Sequence, residues 1–268
     1  MRVPVTVPPR RNRSAIAAVA AALLLVVVLI VVIVNRSSAP AQLCGNQHRS
    51  VAGGTFVLQN DEWNSAATEC ISYDAAAPSF SVATTKISMP ADGSPGGYPS
   101  MSHGCFYGAC TRRSGLPRLV SDLNDGTVTS DWTTTQPAGG RYDVAYDIWF
   151  NTTAWTSGAP DGAEMMIWLA DDGSVRPLGT PQGITSIGGR SYQVWFGYGS
   201  GNSAPTVSYQ ATSPVSQVAG LDIAAFAQDA LQRGYLQPNW YLIDVQAGFE
   251  LWQGGQGLAT NAFSVDVR

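Results

Sequence analysis

Trp240-Tyr241-Leu242-Ile243-Asp244-Val245-Gln246-Ala247-Gly248-Phe249-Glu250-Leu251-Trp252 alternates with a period of two. Tyr241, Ile243, Val245, Ala247 and Phe249 are apolar; Leu242, Asp244, Gln246, Gly248, Glu250 and Trp252 fall between them. Successive side chains of a strand point to opposite faces of its sheet, so one face of this segment belongs to a core. The other face gathers Asp244, Gln246, Glu250 and Trp252. The spacing predicts a β-strand buried on one side, with acids and tryptophan on the other.

Shorter runs rich in Val, Thr, Tyr, Phe and Trp recur at 55–58, 80–87, 141–150, 164–170, 192–198, 206–210 and 262–267, separated by Gly, Pro, Asn and Asp. That rhythm predicts an all-β fold, a jelly-roll sandwich of two antiparallel sheets. One segment differs. From Leu221, apolar residues fall at Ile223, Phe226, Ala227, Ala230 and Leu231, with Asp222 placed as N-cap and Gly234 as C-terminal stop. We expect a single α-helix there, packed on the outside of one sheet.

Two further strands repeat the pairing of acids with large rings. In 164–170, Glu164, Met166 and Trp168 share a face, and in 141–150, Asp143, Asp147 and Trp149 do. A solvated strand face usually carries Thr, Ser and Lys; acids set among Trp and Met suit a concave groove that stacks on flat apolar rings, such as the faces of sugars. Glycosidic bond cleavage needs one acid to protonate the leaving oxygen and a second carboxylate across the anomeric carbon. Glu164 and Glu250 meet that need in type. Solvated surface glutamates are the plain alternative.

The chain of 268 residues is 45% hydrophobic and only 13% charged, with 8 Trp, 10 Tyr and a single lysine, Lys86. Neither a disordered segment nor a coiled coil has that composition. The net charge of -4 hides an asymmetry. Residues 1–41 hold five arginines and no acid, which leaves 10 basic against 19 acidic groups in the remainder, near -9. An acidic body repels phosphate, so a nucleic-acid partner is not expected.

Residues 15–34 are an unbroken apolar run of bilayer-spanning length behind Arg10, Arg11 and Arg13. Residues 1–41 therefore read as a signal peptide, cut near Ala39-Pro40-Ala41, or as a retained signal anchor. Either reading exports residues 42–268 as one domain, secreted or tethered to the cell membrane, and membrane contact is expected only through the uncut apolar segment. Cys44, Cys70, Cys105 and Cys110 allow three disulfide pairings in an oxidising compartment. The most local, Cys44–Cys70 with Cys105–Cys110, is the simplest; loop closure would make the first worth about 3.5 kcal/mol and the second about 2 kcal/mol. With His48 and His103 the only histidines and no Cys-x-x-Cys, neither a metal site nor a Ser-His-Asp triad is well supplied.

Five motifs in order carry a resemblance to glycoside hydrolase family 12. They are Val57-Leu58-Gln59-Asn60-Asp61-Glu62-Trp63; Tyr98-Pro99-Ser100 with Gly104-Cys105 and Cys110-Thr111; Ala145-Tyr146-Asp147-Ile148-Trp149; Glu164-Met165-Met166-Ile167-Trp168-Leu169; and Val245-Gln246-Ala247-Gly248-Phe249-Glu250 with Trp252-Gln253 and Gly257-Leu258. The second is similar to the small disulfide loop of actinobacterial members. The resemblance implies a retaining endo-β-1,4-glucanase with Glu164 as nucleophile, Glu250 as general acid/base and Asp147 beside Glu164. It implies sugar contacts at Trp63, Asn60, Met166, Trp168, Pro177, Gln246 and Trp252. It implies a β-glucan polysaccharide as substrate, no cofactor and a monomer. A xyloglucan-specific endoglucanase, a transglycosylase and a non-catalytic glucan-binding jelly roll are the alternatives. Asp61 and Glu62 depart from the family pattern and set two extra acids beside Trp63, where they are expected to reshape sugar binding.

Overall fold

A computed structural model describes residues 40–64, 66–199 and 204–268. The expected leader, with its apolar run at 15–34, lies outside the described residues. Among the described residues no helix is long and apolar enough to cross a membrane.

The strands run, in order, β1 Ala41–Cys44, β2 His48–Val51, β3 Phe56–Gln59, β4 Glu69–Tyr73, β5 Phe80–Thr85 and β6 Ser100–Phe106. Next come β7 Ala109–Cys110, β8 Arg118–Leu119, β9 Val128–Thr135, β10 Gly140–Asn151, β11 Ala163–Asp171 and β12 Thr180–Ile187. The last are β13 Arg190–Tyr198, β14 Pro205–Ala211, β15 Gln217–Asp222, β16 Tyr241–Gly248, β17 Leu251–Gly254 and β18 Ala259–Val267. The smaller sheet has the order β1-β4-β5-β18-β9-β15, and the larger β12-β13-β14-β11-β10-β16-β6-β3-β2, with β17 on β10, β8 on β16 and β7 on β6. Together they make the expected jelly-roll sandwich. One pair departs from the antiparallel expectation: β14 runs parallel to β11, Glu164 opposite Thr206 and Met166 opposite Ser208. The β12–β13 hairpin is added beyond β14, so the chain returns between β13 and β11 in the direction of β11.

Apolar residues of alternate positions fill the space between the sheets. Trp132 of β9 meets Tyr146 of β10 edge-on at 5.0 Å and Phe249 at 5.9 Å, joining the two sheets through rings. The alternation of 240–252 breaks once. Trp149 lies opposite Asp244 but Phe150 lies opposite Leu242, which makes Ile243 the extra residue of a β-bulge. Leu242 therefore enters the core instead of sharing the face of Asp244. Facing the bulge, Gly104 sits at φ 143°, where a Cβ would lie 2.3 Å from the Ile243 carbonyl oxygen.

The helix α1 spans Ile223–Gln232, and the Asp222 carboxylate accepts from the Ala225 N–H at 3.3 Å. Its place differs from expectation. Ile223, Ala224, Phe226, Ala227 and Ala230 belong to the main core, and Phe226 meets Tyr192 of β13 at 5.0 Å and Tyr209 of β14 at 5.1 Å. The helix covers the inner face of β13 and β14, where its apolar stripe has a partner, and not an outer face. Both local disulfides form: Cys44–Cys70 ties β1 to β4, and Cys105–Cys110 closes the β6–β7 hairpin.

Candidate active site

Register across the larger sheet sets the site. Met166 of β11 lies opposite Asp147 of β10, which lies opposite Gln246 of β16, itself opposite Ser102 of β6. One step along the strands, Glu164 lies opposite Trp149, Trp149 opposite Asp244, and Asp244 opposite Gly104. Glu250 stands between β16 and β17, which run on one after the other antiparallel along β10. Three strands separated by up to a hundred residues thus deliver their acids to one face.

The acids work in two pairs. The carboxyl groups of Asp147 and Glu164 are within hydrogen-bonding reach, and the Thr206 hydroxyl donates to Glu164 Oε2 at 2.7 Å. Burial raises Glu164 above its ordinary value, while the hydrogen bonds from Thr206 and Asp147 favour its anion. Burial also holds Asp147 well above the usual range, reinforced by the charges of Glu164 and Glu250. The Trp149 indole N–H donates to Asp147 Oδ2 at 2.9 Å; Oδ1 finds no donor in the protein. The shared proton therefore sits on Asp147 and Glu164 carries the charge.

The second pair is Asp143 and Glu250. Their carboxyl groups are also within hydrogen-bonding reach, and the Glu250 backbone N–H donates to Asp143 Oδ1 at 3.2 Å. Burial raises Glu250 well above its ordinary value, and the charge and hydrogen bond of Asp143 raise it further. Asp143 is pushed up to about 7 by burial, with the Glu250 contacts opposing. Burial and Asp143 thus favour the protonated form of Glu250, while the hydrogen bonds at Glu164 favour its anion. Beneath both pairs lies the buried ring of Tyr98, whose hydroxyl donates to the Ala145 carbonyl at 2.9 Å. Burial, then the charges of Asp147, Asp143, Glu250 and Glu164, hold its phenol neutral.

The expected sugar-contacting residues divide. Trp63 is exposed. Met166, Trp168 and Trp252 pack with Ala145 and Val175 into a small cluster on the groove side, Trp168 against Trp252 at 6.4 Å. The Trp252 indole donates to the Gly93 carbonyl at 2.7 Å, and the buried Trp168 N–H has no protein acceptor. Pro177 is buried. Two expectations are corrected. Asn60 is fully buried and gives its amide N–H groups to the carbonyls of Gly45 and Glu69, so it braces a turn and does not face a sugar. Gln246 is buried too; one amide N–H donates to Asp244 Oδ2 at 2.8 Å and its oxygen accepts from Gln59 at 2.7 Å and from the Ser100 hydroxyl at 3.3 Å, so it ties β16 to its neighbours.

The extra acids beside Trp63 also take a different place. Asp61 occupies a left-handed turn position at φ 44°, a conformation open to Asp and Asn but strained for most residues. Glu62 accepts the Glu69 backbone N–H at 3.1 Å. Glu69 itself is fully buried, with both carboxyl oxygens unpartnered, and is pushed up to about 8 by burial and by the charges of Glu62 and Asp61. Asp61 and Glu62 are thus half-buried beside the fully buried Glu69.

Asp143, Thr206 and Tyr98 escaped the sequence reading as functional residues. Asp143 had a signal, since it shares its strand face with Asp147. Thr206 had none, because its contact depends on the parallel pairing of β14 with β11.

Two half-buried glutamates, each beside a buried aspartate, on one face of a jelly roll suit a glycoside hydrolase. The sequence profile of Glycosyl hydrolase family 12 matches residues 54–268, and the chain belongs to that family. Endoglucanase cel12A from Rhodothermus marinus superposes with a TM-score of 0.79 at 38% identity, over 85% of this chain and 99% of that one. The probable cellulase Cel12b of Mycobacterium tuberculosis is 34% identical over 152 residues, 57% of this chain and 97% of that protein. A family 12 xyloglucanase from Bacillus licheniformis superposes with a TM-score of 0.74 at 25% identity, over 85% of this chain and all of that one.

Proposed function

We propose that the chain is a retaining endo-β-1,4-glucanase of cellulose-like or mixed-linkage β-glucan. The observation that carries this is the placement of Glu164, which accepts from the Thr206 hydroxyl at 2.7 Å, and Glu250, whose N–H donates to Asp143 at 3.2 Å, beside Asp147 on one sheet. Glu250 gives its proton to the glycosidic oxygen as that bond breaks, and a Glu164 oxygen bonds to the anomeric carbon. The leaving chain departs with a new hydroxyl. Glu250, now a carboxylate, takes a proton from water as the water oxygen attacks the anomeric carbon and the bond to Glu164 breaks. Both carboxylates come from one chain, so a monomer suffices. The two disulfides suit an exported domain, secreted or held by an uncut apolar segment. A pure binding module would have no use for two carboxyl pairs.

The test compares wild type with Glu164→Gln on carboxymethyl-cellulose, following reducing ends. Wild type should release them and the variant should not. Equal release by both, or none by either, overturns the reading. The anomer formed at early time, followed by NMR, should keep the configuration of the substrate; inversion overturns the covalent step.

A further inference from the structure

Tyr107 and Trp155 stand out on the described surface: both rings are large, apolar and more than half exposed. They lie on two loops joined to each other. The Gly108 N–H donates to the Thr156 carbonyl at 2.9 Å, linking the tip of the β6–β7 hairpin to the loop after β10. Each loop is also braced from within. The Cys105–Cys110 disulfide closes the hairpin, the Asn151 amide donates to the Trp155 carbonyl, and Asp161 accepts from the Thr152 N–H and hydroxyl, each at 2.8 Å.

The turn itself is built at a cost. Phe106 pairs with Ala109, so Tyr107 and Gly108 are the two central residues of a tight hairpin, and both have positive φ, 46° and 80°. That turn favours Asn-Gly, because a bulky side chain is strained in the left-handed region. A tyrosine there places a ring outward on a rigid mount where a smaller residue would fold more easily. The ring is also continuous with the site. Tyr107 meets Phe106 edge-on at 4.7 Å, Phe106 meets Trp149 at 5.2 Å, and Trp149 donates to Asp147.

Direction then says what the rings meet. The row Met166–Asp147–Gln246–Ser102 crosses the strands, with Glu164 one step along; a glucan backbone that offers successive units to this row lies across the strands. Phe106 is two residues beyond Gly104, and Asn151 two beyond Trp149, which places the aromatic rim further along the strands, to one side of that path. A sugar reaching it projects sideways from the backbone. We propose that Tyr107 and Trp155 form a stacking rim for a pyranosyl branch of a decorated β-1,4-glucan. This rests on the endoglucanase reading and extends it to branched substrate.

The experiment compares wild type, Tyr107→Ala, Trp155→Ala, Tyr107→Phe and Trp155→Phe, all as the full chain, on tamarind-type xyloglucan and on linear carboxymethyl-cellulose. The alanine variants should lose about ten-fold in kcat/KM on the branched polymer and keep wild-type rates on the linear one. The phenylalanine variants, which keep a ring, should recover most of the loss. Thermal unfolding distinguishes a lost ring contact from a lost fold. Unchanged xyloglucan cleavage in both alanine variants overturns the rim, as does an equal loss on both polymers. Weaker binding to insoluble linear cellulose with unchanged xyloglucan cleavage also overturns it, in favour of a neighbouring-chain contact. Absence of cleavage of either polymer by wild type would instead defeat the endoglucanase reading.

Discussion

The backbone N–H of Asp143 donates to the Glu250 carbonyl at 3.1 Å, and the backbone N–H of Glu250 donates back to Asp143 Oδ1 at 3.2 Å. Residues more than a hundred positions apart are thereby locked together, and Glu250 is held by main chain as well as by side chain. Burial and then the Asp143 charge, which penalises the Glu250 anion, raise its proton affinity.

Asp143→Asn removes that charge. The Glu250 anion becomes easier to form, its pKa falls, and the protonated form needed for the first step is lost at lower pH. The alkaline limb of the kcat/KM profile on carboxymethyl-cellulose should move to lower pH, with the acid limb, set by Glu164, nearly in place. An unmoved alkaline limb would separate Asp143 from Glu250.

Glu250→Gln keeps shape and loses the proton donor. Hydrolysis of unactivated β-glucan should fall by about 10²–10⁴-fold, the usual contribution of a positioned acid or base. Activity on a substrate with an aryl leaving group of low pKa should fall much less at the glycosylation step. That contrast, read by pre-steady-state burst, identifies an acid and not a structural residue.

Trp149→Phe leaves Asp147 without the indole donor at 2.9 Å, while its other oxygen already lacks one. An orphaned buried carboxyl oxygen costs about 1–3 kcal/mol, since a phenyl ring replaces the packing but not the N–H. Denaturant unfolding should show a loss of that size. A variant as stable as wild type would mean that water reaches Asp147.

Glu69 gives the fold a stability term with a defined sign. Its folded value is about 8 against an ordinary 4.5, so folding favours the protonated form. The contribution is fully present below about pH 4.5 and is lost as pH rises to about 8. Asp61, raised by burial to about 6, adds a term of the same sign. Unfolding free energy, and with it the melting temperature, should therefore fall as pH rises through these ranges, by up to about 1.4 kcal/mol per pH unit from each group within its own range. Glu69→Gln should flatten the drop. A variant that reproduces the wild-type slope refutes the assignment.

The local patterns made much of this legible in advance. Alternation in 141–150, 164–170 and 240–252 placed Asp147, Glu164 and Glu250 on ligand-facing sides, and the 3.6-residue spacing with Asp222 and Gly234 delimited the helix, because period and capping act within one element. Strands β9 and β12 escaped, since Val128–Thr135 and Thr180–Ile187 carry Thr, Ser and Gln in place of an apolar stripe. The bulge at Ile243 was equally invisible: it arises from the partner strand and from the bare Cα of Gly104.

By itself the sequence determined the sheet class and gathered acids and large rings on shared strand faces, consequences of side-chain type and spacing along a strand; the roles proposed for Glu164 and Glu250 came from the resemblance to the family. Tertiary structure alone decided which acid holds the proton. That depends on burial and on neighbours distant in sequence, Thr206 and Asp147 for Glu164 and Asp143 for Glu250, and charge interactions are set by distance in space. It also turned Asn60 and Gln246 from expected sugar contacts into buried, hydrogen-bonded side chains. A residue's type gives its hydrogen-bonding capacity; only packing decides whether that capacity is spent inside the protein or left for a ligand.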